Sequence, residues 1–337
     1  MNRQEVKYAL TKAATLSKRL IKTAIQSSAS DIHFIPQQEQ VFIFLRCHGE
    51  RQYQSTLSHQ QYLMMLSYYK YIGKMDIGES RKPQQGVIYY EHNADTYSLR
   101  LSLLPTTPVE SLAIRLLPQK QMQTLPHLFL FPFQLQQIQQ WLQYRSGLLL
   151  LTGATGTGKS TLLYALLKTF MEQNKFQTIT LEDPVEKQLD QIIQIQINER
   201  AGVTYDAGLK AALRHDPDII MVGEIRDAKT AQFAFRAAST GHLVLSTLHA
   251  NDGKGTIHRL VNMGITPLEI DHHLLAVASM KLLSLNDTGF GQRRAAIMEL
   301  LEREQIHQVI ADEPSCVTPS FQQLKRKAFA YGFTNYI

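Results

Sequence analysis

A glycine-rich segment at residues 153–160 has the residue types and the spacing needed to hold a chain of phosphates. It matches the P-loop pattern G-x-x-x-x-G-K-S/T with Gly153, Ala154, Thr155, Gly156, Thr157, Gly158, Lys159 and Ser160. Glycines let the backbone wrap closely around phosphate oxygens, and the helix that follows turns its first N–H groups toward them. Lys159 is expected to reach the β- and γ-phosphates and Ser160 to bind Mg²⁺. Together with Thr161, the segment predicts a site for ATP and Mg²⁺.

An acid follows a second apolar run, about 60 residues after the P-loop. The run Ile219–Val222 is typical of a central strand, and it leads directly to Gly223 and Glu224. Gly223 stands where many P-loop proteins place an aspartate, so Glu224 is the acid available to polarise the attacking water or to help hold the metal. Buried strands that end in glutamate are common, and it is the position after the P-loop that makes Glu224 the predicted catalytic acid and, with Ser160, a predicted Mg²⁺ ligand.

Two further clusters contain residues that are able to do chemistry. Residues 180–186 place three carboxylates, including Glu182 and Glu186, at the end of a short strand. Residues 240–252 place His242 and His249 at the two ends of another apolar strand. Either cluster is equally well explained by structure, because carboxylates at strand ends often cap helices and a single histidine is usually a satisfied polar group.

The surrounding pattern predicts the elements that position these residues. From Leu148 onward, strands, loops and helices alternate, which indicates a mostly parallel sheet wrapped by helices. The first ~115 residues indicate a mixed α/β module. Its predicted helices are Glu5–Ser27 and His59–Lys74, and its predicted strands are Asp31–Ile35, Val41–Arg46, Gly86–Glu91, Thr96–Leu104 and Ser111–Leu117.

The predicted domain organisation follows from these patterns and from the prolines between them. We assign residues 1–117 to an N-terminal α+β domain, residues 118–132 to a linker and residues 133–337 to an ATPase domain with C-terminal helices. The linker contains Pro118, Pro126 and Pro132. Near the C-terminus, Gly289–Gly291 is expected to be a loop followed by two helices.

Composition places the chain among folded globular proteins. The 337 residues suffice for two domains, with 44% hydrophobic and 19% charged residues. No apolar run approaches the ~20 residues that cross a bilayer, and the N-terminus lacks the apolar core of a secretory signal, so we expect a cytoplasmic protein. Cys47 and Cys316 are too few for a disulfide framework or a four-cysteine zinc site, and both are expected to be reduced and packed. A net charge of +6 is only weak evidence for nucleic-acid binding.

The order of these segments resembles the secretion ATPase superfamily of type II secretion and type IV pilus motors. The match runs from about Ser30 to Leu283. It includes the P-loop, an aspartate box at Ile179–Glu186, a Walker B segment at Leu213–Asp227 and a histidine box at Thr240–Asp252. The resemblance implies a RecA-like P-loop NTPase domain with a smaller N-terminal α+β domain. It also implies that Glu182 helps to place the water or the metal, and that His242 and His249 sense the γ-phosphate and couple it to domain movement.

The resemblance extends to the N-terminal module, where it implies two arginine fingers. Arg100 and Arg115 occupy positions from which family members reach nucleotide phosphates across a domain or subunit boundary. A fixed planar cation there offsets the charge that develops on the transferred phosphoryl group. The alternative for each arginine is a surface salt bridge.

Three departures from the family pattern narrow the resemblance. The chain starts almost directly at the second N-terminal domain of the family, and Leu283–Gly291 stands in place of a four-cysteine metal element. Met280-Lys281-Leu282 replaces the usual Gln-Arg-Leu, which puts the role of that arginine in doubt. These features, with Met75–Glu79 and Gly202–Tyr205, most resemble the competence traffic ATPases of Gram-positive bacteria, which power a pilus for DNA uptake.

The resemblance implies a hexameric motor in which ATP hydrolysis drives an inner-membrane platform protein from the cytoplasmic face of the membrane. One alternative is the retraction motor of the same family. A second is a RecA-like nucleic-acid translocase, for which we expect aromatic stacking platforms within basic grooves and find none convincingly placed, so direct nucleic-acid binding is not expected. A third is a scaffold that does not hydrolyse ATP.

Overall fold

The chain divides into two units, Met1–Gln121 and Met122–Ile337, and the boundary falls within the segment that was predicted as a linker. The computed structural model describes residues 3–47, 49–93, 95–119, 123–173, 175–286, 294–313 and 319–335. Cys316 and the predicted loop Gly289–Gly291 lie outside the described residues. Cys47 is buried and free, as predicted.

The first unit is a six-stranded antiparallel sheet with the order β3-β2-β1-β6-β5-β4. Its elements are α1 (Arg3–Gln26), β1 (Ala29–Pro36), β2 (Gln40–Cys47), β3 (Glu50–Ser58), α2 (His59–Ile72), β4 (Gln84–His92), β5 (Asp95–Leu104) and β6 (Ser111–Pro118). The strands alternate buried and exposed side chains, which is typical of a sheet with one covered face. Leu99, Leu101 and Leu103 of β5 share one core with Tyr62 and Tyr69 of α2.

A buried ion pair ties α2 to the start of β6. The Nζ atom of Lys70 lies 2.8 Å from Oε2 of Glu110, and the two side chains are only 4% and 6% exposed. Lys70 also donates a hydrogen bond of 2.8 Å to the carbonyl oxygen of Glu79, and the hydroxyl of Tyr62 donates one of 2.7 Å to the carbonyl oxygen of Glu110. The ammonium group therefore fixes a helix, a strand end and the loop after the helix at one point.

The second unit is a seven-stranded sheet with the order β13-β12-β7-β11-β10-β8-β9. Every strand pair is parallel except β12–β13. Its elements are α3 (Pro132–Trp141), β7 (Gly147–Thr152), α4 (Lys159–Glu172), β8 (Thr178–Glu182), β9 (Ile193–Gln196), α5 (Tyr205–Ala212), β10 (Ile219–Ile225), α6 (Ala228–Ser239), β11 (Leu243–Leu248), α7 (Gly253–Asn262), α8 (Pro267–His273), β12 (Leu274–Ser284), β13 (Arg294–Glu302), α9 (Arg303–Ile310) and α10 (Phe321–Ala330).

The central strands of this sheet are buried on both faces. In β7, Leu149 and Leu151 pack in one core with α4, whereas Leu148 and Leu150 pack in a second core with α6. Burial on both sides explains why these strands are continuous apolar runs in the sequence. The segment before α3 also belongs to this unit, because Leu125 and Leu128 are buried in the first of these cores.

The sheet order determines which residues meet. Strand β11 lies between β7, which leads into the P-loop, and β10, which carries Glu224. Because β7, β11, β10 and β8 run parallel, their carboxyl ends share one edge of the sheet.

Within the described residues, no helix has the length and apolar character needed to cross a membrane.

Candidate nucleotide-binding site

The P-loop connects β7 to α4 through a backbone that favours glycine at three points, Gly153, Gly156 and Gly158. Gly153 has φ 141° and Gly158 has φ 94°, both in the left-handed region that disfavours residues with a Cβ atom. A Cβ atom at Gly153 would lie 2.7 Å from the carbonyl oxygen of Met280 on β12. The first glycine is therefore needed both for its conformation and for the close approach of the neighbouring strand.

Lys159 is folded into the loop that it follows. Its Nζ atom donates hydrogen bonds of 2.8 and 2.9 Å to the carbonyl oxygens of Gly153 and Ala154. Burial lowers the pKa of Lys159, and the negative charge of Glu224 opposes that shift. The acid of β10 thus acts electrostatically on the cation of the P-loop, and the catalytic roles of both residues stay predictions.

Glu224 is the centre of a group of charged side chains at the end of β10. Its Oε1 atom accepts a hydrogen bond of 2.5 Å from Nε of Arg226, and its Oε2 atom lies 4.0 Å from Nε2 of His249. Nη1 of Arg226 donates a further bond of 3.0 Å to Oδ2 of Asp183. Hydrogen bonding to Glu224 raises the pKa of Arg226. The structure brings the predicted residues Glu224 and His249 together and adds Arg226 and Asp183, which the sequence analysis did not single out.

Glu182 is buried, and both of its carboxylate oxygens accept hydrogen bonds from side chains of the same unit. Oε2 accepts from the hydroxyl of Tyr164 on α4. Oε1 accepts from Oγ1 of Thr180 at 2.6 Å and from Nε2 of Gln194 at 3.1 Å. Its predicted role in placing the water or the metal stays a prediction, whereas the observed contacts tie the end of β8 to the P-loop helix.

Tyr164 is the link between that helix and the aspartate box. While donating to Glu182, its hydroxyl accepts bonds of 3.2 Å from the backbone N–H groups of Glu186 and Lys187. Burial raises the pKa of Tyr164, with the charge of Glu182 acting in the same direction. The phenol therefore stays protonated and orders the turn that follows β8.

We expect Tyr164→Phe to lower the free energy of unfolding of the second unit by about 1–3 kcal/mol, because it leaves buried hydrogen-bonding groups without a partner. Trp141 is the single tryptophan of the chain and is buried in this unit, so its fluorescence reports the transition during urea unfolding. Tyr205→Phe is the matched control, because no described residue forms a hydrogen bond with the hydroxyl of Tyr205. Loss of that hydroxyl is expected to lower the free energy of unfolding by less than about 0.5 kcal/mol. Equal losses in the two variants would contradict the role given to Tyr164.

The two histidines of the predicted histidine box lie at opposite edges of the sheet. His249 follows the carboxyl end of β11, whereas His242 precedes its amino end. At the rise of a β-strand per residue, the two positions are about 20 Å apart. The ring of His242 contacts the end of α6, with Nδ1 3.2 Å from the carbonyl oxygen of Ala237 and 3.0 Å from Oγ1 of Thr240. Within one chain, the structure therefore does not bring His242 to the P-loop.

The predicted arginine fingers are direct neighbours on the sheet of the first unit. Arg100 on β5 is paired in register with Arg115 on β6, and Arg115 is paired with Asp31 on β1. Nε of Arg115 donates a bond of 2.9 Å to Oδ1 of Asp31, while the arginine side chain remains 60% exposed. Like charges directly opposite each other repel, and Asp31 offsets part of that cost. The salt bridge that was the alternative for Arg115 is present, and the role of both arginines at a phosphate stays a prediction.

Two cavities flank the P-loop. One of about 500 Å³ adjoins Gly153 and Ala154 on one side and His249 and Arg259 on the other. The other, of about 470 Å³, adjoins Thr155–Thr157 and Lys281 on the side of β12.

In the described part of the chain, no group of three or more histidine, cysteine or acidic side chains is placed to hold a metal. The hydroxyl of Ser160 and the carboxylate of Glu224 are oxygen ligands, which suit Mg²⁺. In nucleotide sites, one or two such protein ligands typically share the ion with phosphates.

Comparison with known proteins gives a consistent picture. A family model described as type II/IV secretion system protein matches residues 9–333. The competence protein ComGA of Bacillus subtilis (strain 168) is 39% identical over 335 residues, covering 94% of this chain and 94% of that protein. The type IV pilus assembly ATPase PilB of Thermus thermophilus is 41% identical over 267 residues, covering 79% of this chain and 30% of PilB. The crystal structure of the pilus retraction motor PilT with bound ADP has a TM-score of 0.72 and 25% identity, covering 94% of this chain and 93% of that one.

These similarities confirm both the predicted family resemblance and the predicted fold class, a RecA-like ATPase domain with a smaller N-terminal domain.

Proposed function

Since the chain belongs to the family of type II/IV secretion system proteins, we propose that it is a hexameric ATPase motor that powers assembly of a competence pilus for DNA uptake. The observation that carries the proposal is the arrangement of the sheet, in which the P-loop after β7 and Glu224 near the end of β10 lie at the same edge, separated by the single strand β11. A cage for phosphates that faces an acid is the arrangement that phosphoryl transfer to water requires, because catalysis there is mostly positioning and electrostatic stabilisation.

In this proposal the residues of the site divide the work of binding and catalysis among them. The backbone of the P-loop and Lys159 would hold the phosphates of ATP, and Ser160 and Glu224 would hold Mg²⁺, which would neutralise charge on the phosphates. Glu224 accepts a proton from the attacking water, and His249 beside it responds to the state of the γ-phosphate. Arg100 and Arg115 approach the phosphates when domains of the same or a neighbouring subunit close.

The relatives favour assembly over retraction. The pilus assembly ATPase PilB is 41% identical over 79% of the chain, whereas the retraction motor PilT is 25% identical over 94% of it. The motor would act at the cytoplasmic face of the membrane on an inner-membrane platform protein, and the proposal needs no direct contact with DNA.

Hydrolysis by purified protein tests the proposal at the level of the site. We expect the parent protein to hydrolyse ATP only with Mg²⁺, and Lys159→Ala to lower kcat/KM about 100-fold or more, because it removes a fixed cation from the developing phosphate charge. Lys168→Ala changes a half-buried lysine of the same helix and is expected to leave turnover unchanged. Equal turnover by Lys159→Ala and the parent would contradict the proposed motor function.

Deletion of the gene tests the direction of the motor. Loss of surface pili and of transformation supports assembly, whereas an excess of pili identifies a retraction motor. ATPase activity that rises with DNA, and not with the platform protein, identifies a nucleic-acid translocase instead.

A further inference from the structure

The geometry around Glu224 points to a further residue of the reaction: we propose that Arg226 is a positioning residue for the catalytic acid and that Asp183 holds Arg226 in place. The inference rests on the proposed function, because it takes Glu224 as the general base. Arg226 makes two charged contacts with different atoms, Nε to Glu224 and Nη1 to Asp183. The three side chains therefore form one bridge across the ends of strands β10 and β8, which are parallel neighbours.

A general base has to be held in a narrow geometry. It must lie within about 2.6–3.2 Å of the proton that it accepts, and a misplacement of 1 Å is able to cost about 100-fold in rate. A glutamate side chain at a strand end has three rotatable bonds and does not hold such a geometry alone. Arg226 binds Oε1 of Glu224 and leaves Oε2 on the side of His249, free to accept a proton.

Asp183 determines where the guanidinium group stands. It follows directly after β8, whose last residue, Glu182, is buried and hydrogen-bonded to Tyr164 on the P-loop helix. The position of Asp183 is thus set by the same helix that begins at Lys159. Through Asp183 and Arg226, the acid is held relative to the P-loop by a connected series of hydrogen bonds.

Only an arginine fits this bridge. The planar guanidinium group presents donors at fixed angles and contacts both carboxylates at once, whereas a lysine ammonium group is a single point charge. Stability does not explain the arrangement, because the side chain of Arg226 is 54% exposed and exposed ion pairs contribute only about 0–1 kcal/mol. Orientation of Glu224 is therefore the larger consequence of the bridge.

Steady-state kinetics and equilibrium binding of a fluorescent ATP analogue, both on the full-length protein, test the inference. We expect Arg226→Gln to lower kcat about 10- to 100-fold while the affinity for the analogue changes less than about twofold. Arg226→Lys keeps one contact and is expected to lie between the parent and Arg226→Gln. Asp183→Asn is expected to lower kcat in the same direction, and adding it to Arg226→Gln is expected to cause no further loss, because the two residues act through one bridge.

The matched control is Lys210→Gln, which breaks an exposed ion pair of 2.9 Å with Asp206 in the same unit. It is expected to leave kcat unchanged. An unchanged or raised kcat in Arg226→Gln overturns the inference. So does a loss of kcat accompanied by an equal loss of nucleotide affinity or by a lowered Tm, since a merely structural residue behaves in that way.

Glu224→Gln, assayed in the same series, distinguishes a failure of the role of Arg226 from a failure of the proposed function. If Glu224→Gln is inactive and Arg226→Gln is fully active, only the role of Arg226 is wrong. If Glu224→Gln turns over ATP like the parent, Glu224 is not the base, and both the proposed mechanism and the role of Arg226 are overturned.

Discussion

Glu224→Gln is expected to lower kcat for ATP hydrolysis about 10²- to 10⁴-fold while nucleotide binding is retained. Glutamine has the shape of glutamate but does not accept the proton of the attacking water. Its amide oxygen is still able to accept the hydrogen bond from Arg226, so the surroundings of the side chain are preserved. The lost negative charge stands near Lys159, and its removal does not weaken the attraction of that cation for phosphate.

The measurement needs turnover and binding from the same preparation. Phosphate release gives kcat, and a fluorescent ATP analogue gives the dissociation constant. Glu172→Gln, an exposed glutamate at the end of α4, is a control that is expected to behave like the parent. Turnover by Glu224→Gln within about tenfold of the parent would assign the base to another residue. Loss of binding and turnover together would mean that Glu224 contributes to nucleotide binding at the P-loop and not to activation of the attacking water.

Lys70→Met is expected to lower the free energy of unfolding of the first unit by about 3–5 kcal/mol, because it leaves Glu110 as an uncompensated buried charge. Among the described residues, Oε1 of Glu110 has no hydrogen-bond partner, so Lys70 is the group that compensates the carboxylate. The ammonium group also binds the carbonyl oxygen of Glu79, and that contact is lost as well. Both effects act on the same junction of α2, the start of β6 and the loop between α2 and β4.

Hydrogen exchange of backbone amides in α2 and β6 measures this loss within the full-length chain, because the single tryptophan lies in the other unit. The double variant Lys70→Met/Glu110→Leu removes both charges and is expected to recover most of the stability. Arg81→Met removes an exposed contact with Glu79 in the same unit and is expected to leave the free energy of unfolding almost unchanged. A loss below 1 kcal/mol in Lys70→Met would show that the buried pair is not the anchor of this unit.

The elements around the P-loop could be predicted from the sequence because their signals are local. The run Leu148–Leu151, the glycines and the leucines of α4 follow one another without a break, and each has a single structural explanation. Strand β3 was not predicted, since Glu50–Ser58 is an exposed edge strand without apolar alternation. Strand β13 was not predicted either, because Arg294–Glu302 is an apolar run whose length suits a strand or a helix equally well.

The contacts of the site could be predicted only in part. A motif predicts that Glu224 faces the P-loop, but the partners of an acid depend on which strands are neighbours. Arg226 and Asp183 are 43 positions apart, and Lys70 and Glu110 are 40 apart. No local pattern relates such pairs. The histidine box shows that closeness in sequence does not imply closeness in space. Its two histidines lie on opposite edges of the sheet because a strand separates them.

The strand between β7 and β10 also sets a length scale for catalysis. Neighbouring strands lie about 4.8 Å apart, so the P-loop strand and the acid strand are separated by about 10 Å. Oγ of Ser246 and Oγ1 of Thr247 on β11 donate hydrogen bonds of 2.7 and 2.8 Å to the carbonyl oxygens of Val222 and Gly223, which pins the last residues of β10 before Glu224. β11 thus sets the spacing between the strand that leads into the P-loop and the strand that carries Glu224. This spacing is a property of the main chain and of the two hydrogen bonds from β11.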